Sequence, residues 1–448
     1  MRPHRSAAVA LAAAVIGGVI AASAVAAPSP AQQTAGRDAA TWLTTQFEDG
    51  VLTNFGMPDI GLTVDALLAL RATGVAPATA AAVADKVAAN AATFSYYEID
   101  YDEDGDDDRI TDAGSTAKLL LAATAAGRDP RHFGGLDLDA MTRGLIATDG
   151  PHKGRVRDTT PEVYGGDASN TFDQSLAVLG LARTGGAPVD VVAYLIRQQC
   201  QAGGFRLNPD PTGAACADDD APDVDSTAMA VQALLATGSS PGALAAAAQG
   251  TAWLKARQGA DGSFVNGPQR PDPNLPAVAN SNSTGLAGQA LAAAGATAEA
   301  GRAAAWVAKL QLSGGADKGA VAYSADAFAA GAIDDMLRDQ WRRATAQALL
   351  ALAQVPLGEI GTTPAGSPSA SPSVSVPPSP SVSASASASA SASASTSPSA
   401  SASTGATTAT GGNLPRTGQP IVQMAAVAVA LIGLGMALVL AARRRRTP

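Results

Sequence analysis

The stretch "WLKARQGADGSF", Trp253 to Phe264, begins as a helix and ends as something else. An aromatic residue and a leucine lead, about one turn later, to a glutamine. Gly259, Asp261 and Gly262 then break the helical pattern ahead of Phe264. Versions of it recur as "WLTTQFEDG" from Trp42, "YLIRQQCQAGGF" from Tyr194 and "WVAKLQLSGG" from Trp306. The pattern predicts a helix that ends at a glycine cap.

A second helix follows each copy, marked by a threonine ahead of an Ala/Leu-rich run. The threonines are Thr63, Thr116, Thr171, Thr227, Thr284 and Thr345, at intervals of 53, 55, 56, 57 and 61 residues. Asp59, Asp112, Asp167, Asp223 and Asn280 stand four residues before the first five. These residue types satisfy the free N–H groups of a helix start. Apolar residues then recur at helical spacing, as in Leu67, Leu68 and Leu70. Helix, glycine-rich loop, helix, six times over, predicts an all-α stack of hairpins sharing one core across residues 37–361.

These motifs resemble the repeat of the prenyltransferase and squalene-cyclase superfamily. The resemblance covers nearly all of 37–361 and implies an α/α toroid of about six helical hairpins. In cyclases of that superfamily an Asp-x-Asp-Asp-Thr-Ala motif supplies the proton that starts the reaction. Here the corresponding residues are Asp223-Val224-Asp225-Ser226-Thr227-Ala228. Asp223 and Thr227 have equivalents in nearly every repeat, so a helix start explains them. Asp225 does not, since Gly61, Gly114, Ser169 and Asn282 take its place elsewhere. By the resemblance Asp225 is the proton donor, but its carboxyl-bearing neighbour is replaced by Ser226. An acid able to protonate an alkene needs that support and a dry pocket. Eight Phe, six Tyr and four Trp in the whole chain are also few for a cavity that stabilises carbocations.

Other chemistries lack their parts. The zinc site of protein prenyltransferases needs Asp, Cys and His, and only His132 and His152 follow the N-terminal segment. Cys200-Gln201-Ala202-Gly203 does not match a thioester motif. Cys200 and Cys216 are expected to form a disulfide in an exported chain, worth about 3 kcal/mol; the alternatives are free thiols or a metal role. In "EIDYDEDGDDDRITDAG", Asp100, Asp102, Asp104 and Gly105 match the first half of an EF-hand loop. Asp106 and Asp108 add carboxylates, while Thr111 stands where the bidentate Glu belongs. A weak Ca²⁺ site and a solvated acidic loop are both open readings.

The ends predict where the protein works. Arg2 and Arg5, an apolar run, and Ala24-Val25-Ala26 form an export signal over 1–26, followed by a short linker over 27–36. Ser, Ala, Pro, Thr and Gly dominate 362–412, a composition that predicts a disordered stalk. Residues 413–448 hold Leu414-Pro415-Arg416-Thr417-Gly418, an apolar span over 421–442 and Arg443–Arg446. That order resembles the sorting signal of Gram-positive surface proteins. It implies a sortase that cuts after Thr417, removing the membrane span and joining Thr417 to peptidoglycan. A formal charge of −9 without a basic cluster before the tail excludes nucleic acid as a partner. The expected protein is therefore secreted and wall-anchored. Its domain would bind a small apolar ligand or another surface component. Two alternatives are a terpenoid-cyclase-like or prenyltransferase-like enzyme using Asp225, and a structural adhesin or spacer.

Overall fold

The computed structural model describes residues 27–362, apart from Phe55, Glu103, Asp104, Asp220, Ser239, 266–276, Ala332, Asp335 and Met336. The expected export signal, the expected sorting motif and span, and all of the expected stalk but Thr362 lie outside the described residues. No helix among the described residues is long and apolar enough to cross a membrane.

Fourteen helices fill the described residues. They pair as α1 (Pro30–Thr44) with α2 (Ile60–Thr73), and α3 (Pro77–Ala89) and α4 (Ala91–Ser95) with α5 (Ala113–Ala125). Next come α6 (Leu138–Gly144) with α7 (Thr171–Ala182), and α8 (Val189–Arg197) with α9 (Val224–Ala236). Last are α10 (Pro241–Arg257) with α11 (Ser281–Ala293), and α12 (Thr297–Lys309) with α14 (Arg338–Ala353), α13 (Ala325–Ala330) lying between the final two. Three small antiparallel hairpins interrupt the loops: β1 (Thr53–Asn54) with β2 (Met57–Pro58), β3 (Tyr96–Ile99) with β4 (Asp108–Thr111), and β5 (Phe205–Arg206) with β6 (Pro222–Asp223).

The second helices of the pairs neighbour one another in a closed cycle, α2–α5–α7–α9–α11–α14 and back to α2. They are buried on nearly every side, as all-round apolar sequences require. The first helices lie outside them, and α8 buries only the stripe Val191, Val192, Tyr194 and Leu195.

The threonines are clamps as well as markers. Thr63, Thr227, Thr284 and Thr345 accept a bond through Oγ1 from a loop N–H, at Leu52, Phe205, Phe264 and Val321 respectively, at 2.8–2.9 Å. Thr63 and Thr227 also donate to the carbonyl of their cap residue. Each clamp pins a loop to the start of an inner helix.

The loop glutamines join neighbouring units. Gln199, Gln258 and Gln311 donate through Nε2 to their own loop glycines, Gly203, Gly262 and Gly319. They donate as well to a carbonyl of the next outer helix, Ala246, Glu299 and, for Gln311, Ala35 of α1. The last unit thus meets the first by the joint that links consecutive units. Asp317 repeats the point, accepting from Trp42 Nε1 at 2.9 Å as Asp261 accepts from Trp306.

Two expectations need correcting. The loop glycines do not cap the outer helices, which end at Thr45, Gln198, Gln258 and Leu310. Instead Gly154, Gly203, Gly262 and Gly319 have φ of 89–99° and lie against the backbone of the next outer helix, where a Cβ would collide. In the third unit the register also shifts. The cap is Asn170, not Asp167, which pairs with Arg155 at 3.1 Å. The residue four beyond this cap is Gln174, not Thr171. Its Oε1 accepts from Val156 N as the threonines do, and its Nε2 donates to Gly154 O and Val191 O as the loop glutamines do. Ile146, bridged to Val156 as Gln311 is to Val321, carries no amide at the loop position, and Gln174 supplies both functions.

One end of the cycle is closed by the chain itself. After α14, a strap over 354–361 crosses the C-terminal ends of the inner helices. Arg183 donates to Gly358 O at 2.6 Å and to Ile360 O at 2.8 Å. Gln232 Oε1 accepts from Leu357 N, and Gln289 Nε2 donates to Val355 O.

Candidate functional site inside the helix cycle

One stripe of each inner helix faces the interior of the cycle. Two residues after the clamp position stand Asp65, Lys118, Leu176, Met229, Leu286 and Gln347. Asp65 and Gln347 are half-buried, and the other four retain 4–8% exposure, whereas Ala66, Ala117, Ala177, Ala228, Ala287 and Ala348 beside them have none. Outer helices cover the opposite side of each inner helix, so the remaining access is from within. Five residues after the clamp, Gln232 and Gln289 meet the strap, which places that level at the closed end. Two residues before it, nearest the helix starts, stand Gly61, Gly114, Phe172, Asp225, Asn282 and Arg343. Phe172 thus replaces Ser169 as the counterpart of Asp225 in the third unit.

The interior has two characters. Lys118 Nζ lies 2.6 Å from Asp65 Oδ1, and Gln347 Nε2 donates to Asp65 Oδ2 at 3.2 Å. Arg343 pairs with Asp59 at 2.8 Å. These charged residues come from α2, α5 and α14. Phe172, Leu176, Met229 and Leu286 stand on the arc from α7 to α11, together with Asp225 and Asn282.

Asp223 and Asp225 have different surroundings. Asp223 is the cap of α9, accepting from Ser226 N at 2.7 Å and Ser226 Oγ at 3.1 Å. Burial still raises its pKa to about 6 against those bonds. Asp225 is also buried, and burial followed by the nearby Asp223 charge raises its pKa to about 7 despite a bond from Ser283. Its Oδ1 is buried without a partner among the described residues. Tyr323, half-buried near Asp225, is pushed up to about 12, first by its partial burial and then by the Asp225 charge.

A second group of carboxyls gathers at the starts of α5 and α7. Asp158 accepts from Ala113 N and Ala168 N, and burial and the neighbouring Asp112 raise its pKa to about 7. Asp173 is held well above the carboxylate range, first by burial and then by Asp112 and Asp158. Its Oδ1 reaches over Gly114 into the space that a side chain there would fill. Sequence reasoning missed Asp173, because the register shift of the third unit hides its place. On the outer side of this group a cavity of about 360 Å³ is lined by Arg157, Asp158, Glu162 and Asp167, among others.

The remaining candidates lie elsewhere. Cys200 and Cys216 form a disulfide beside β5. Asp100, Asp102, Asp106 and Asp108 lie at the β3–β4 turn, where Gly105 N donates to Asp100 Oδ2 at 3.1 Å; Asp104 is outside the described residues. Among the described residues no group of three or more His, Cys, Asp or Glu is placed to hold a metal ion.

No family model and no curated protein matches the chain. Solved structures do. A protein from Actinoplanes is 20% identical over 72% of this chain and 99% of its own, with a TM-score of 0.46. The type II terpene cyclase MstE from Scytonema is 16% identical over 73% of this chain and 98% of its own, with a TM-score of 0.47. A glycosidase is 14% identical over 73% of this chain and 100% of its own, with a TM-score of 0.44.

Proposed function

We propose that the chain is a cell-wall-displayed binding protein. In this reading the closed helix cycle is an α/α toroid whose interior receives a small amphipathic molecule, with Asp225 as a neutral hydrogen-bonding group. The observation that carries it is the Asp225 carboxyl, which lies on the interior stripe, largely protonated below about pH 7, with Oδ1 unpartnered among the described residues. A buried polar atom of this kind is costly unless a ligand or water meets it.

Catalysis by Asp225 is the second reading, favoured by the same protonated carboxyl. A pKa of about 7 argues for binding, because a donor to an alkene must be a far stronger acid. The Ser226 hydroxyl does not help, since it donates to Asp223. Display at the wall rests on the export signal, stalk and sorting motif of the sequence.

Native mass spectrometry of the full chain, before and after organic extraction, tests the reading. A single small molecule at one-to-one stoichiometry is the expected result. An empty interior that takes up no added compound overturns it. Turnover of a polyprenyl substrate that Asp225→Asn abolishes would establish the enzyme instead.

A further inference from the structure

The cavity of about 360 Å³ beside Asp158 is walled by the end of α6 and the loop that leads to α7. Two of its carboxyls are engaged. Asp158 accepts from Ala113 N and Ala168 N, and Asp167 pairs with Arg155 at 3.1 Å. Three other groups are not. Arg157, Glu162 and Thr160 line the same cavity, and their guanidinium, carboxylate and hydroxyl meet no partner among the described residues. Thr160 retains only 9% exposure, and an enclosed hydroxyl of this kind is costly unless an occupant of the cavity meets it. The backbone holds the three in place. Arg157 N donates to Leu145 O at 3.0 Å, and Thr159 N donates to Thr111 O of β4 at 3.0 Å. Glu162 opens a short turn over Glu162–Tyr164, closed by Gly165 N donating to Glu162 O at 3.0 Å. Its carboxylate folds back over Gly166, where φ is 72° and a Cβ would meet both oxygens at 2.9 Å.

We propose that this cavity is a binding site for a small zwitterion of the α-amino-acid class, in which Arg157 takes the ligand's carboxylate, Glu162 its ammonium and Thr160 a further hydrogen bond. The site is built from loop residues rather than from the interior stripe, and it does not depend on the function proposed above. A guanidinium receives a carboxylate through two parallel N–H bonds, and a carboxylate receives an ammonium through charge-assisted bonds. Opposite charges that line one cavity without pairing leave each free for a separate group of the same ligand. A simple anion would satisfy Arg157 and be repelled by Glu162, and a simple cation would do the reverse. A neutral sugar would strip water from both charges without supplying a counter-ion to either. The volume stands near the lower end of the roughly 300–1,000 Å³ of small-molecule sites, which suits a single amino acid.

The test is calorimetric titration of the full chain with glycine, L-alanine, L-leucine and L-phenylalanine, followed by the amide and the N-acetyl derivative of whichever binds. At least one amino acid is expected to bind, its amide and its N-acetyl form each about tenfold weaker or more. Arg157→Gln and Glu162→Gln should each weaken the free amino acid by roughly ten- to a hundredfold, the loss of a charge-assisted bond. Which charge meets which group is read separately. Arg157→Gln should bind amino acid and amide alike, and Glu162→Gln should bind amino acid and N-acetyl form alike. Thr160→Val should weaken binding about fivefold. Arg157 and Glu162 are exposed, and circular dichroism checks that every variant is folded. Affinity unchanged in both Gln variants overturns the site. An amide or N-acetyl form that binds the parent as tightly as the free amino acid overturns the ligand class, and no binding by any amino acid overturns the proposal.

Discussion

Gln174 is the residue on which the third unit depends. One buried side chain replaces a clamp threonine and a loop glutamine, meeting Val156 N, Gly154 O and Val191 O. Gln174→Ala should therefore destabilise by about 3 kcal/mol, more than Gln311→Ala, which loses two such bonds, as read from urea unfolding midpoints. The outer-helix tryptophans offer a matched comparison. Trp42 Nε1 donates to Asp317, whereas Trp253 Nε1 has no partner among the described residues and Ala202 precedes its loop glycine where Asp261 precedes Gly262. Trp42→Phe should cost about 1.5 kcal/mol more than Trp253→Phe. Asp225 gives a pH dependence whose sign is fixed. A carboxyl with a higher pKa folded than unfolded binds protons preferentially when folded, so its contribution falls as pH rises from 3.8 through about 7. Asp225→Asn should reduce the loss of stability between pH 5 and pH 8, measured by urea unfolding at each pH. Asp225 itself was legible in the sequence, because five helix starts are alike and it alone adds a carboxyl. Asp173 and Gln174 were not, since their roles appear only once Asn170 is known to be the cap.

The joint between outer helices is the element that closes the cycle. Gly319 has φ of 99° and lies against Asp38 O of α1, while Gly315 has φ of 79° with open space around it. Gly315→Ala strains only the backbone, whereas Gly319→Ala also pushes α1 away. Amide exchange should accelerate across residues 30–44 in Gly319→Ala and stay unchanged there in Gly315→Ala. The helices and their order could be read from apolar periodicity and the recurring threonines, because both follow from how one helix buries its surface. The glycines were misread as caps for a physical reason. A glycine after a helix serves equally well for a left-handed turn and for close approach to another backbone, and only the neighbouring unit distinguishes them. The β3–β4 hairpin was hidden too, since its turn is a run of acidic residues with no alternation to mark strands.

For the whole molecule, the strap over 354–361 decides which end of the helix cycle is covered by the chain's own C-terminal segment. Three side chains, Arg183, Gln232 and Gln289, hold it across the inner helices, and Arg183 contributes two of the bonds to its carbonyls. Arg183→Ala should raise exchange at residues 355–361 by about tenfold while leaving α2 protected. Repeats revealed six units, but no pattern in the sequence indicated that the segment after α14 would fold back beneath them, because its hydrogen bonds to the inner helices run through main-chain groups. The strap ends at the C-terminal side of the inner helices, opposite the end where Asp225 and Asn282 stand. A binding surface or biosensor chip loaded with this protein should therefore be coupled through the C-terminus. Immobilised that way, the helix starts face the flowing analyte, whereas attachment at the opposite face would put the support across them.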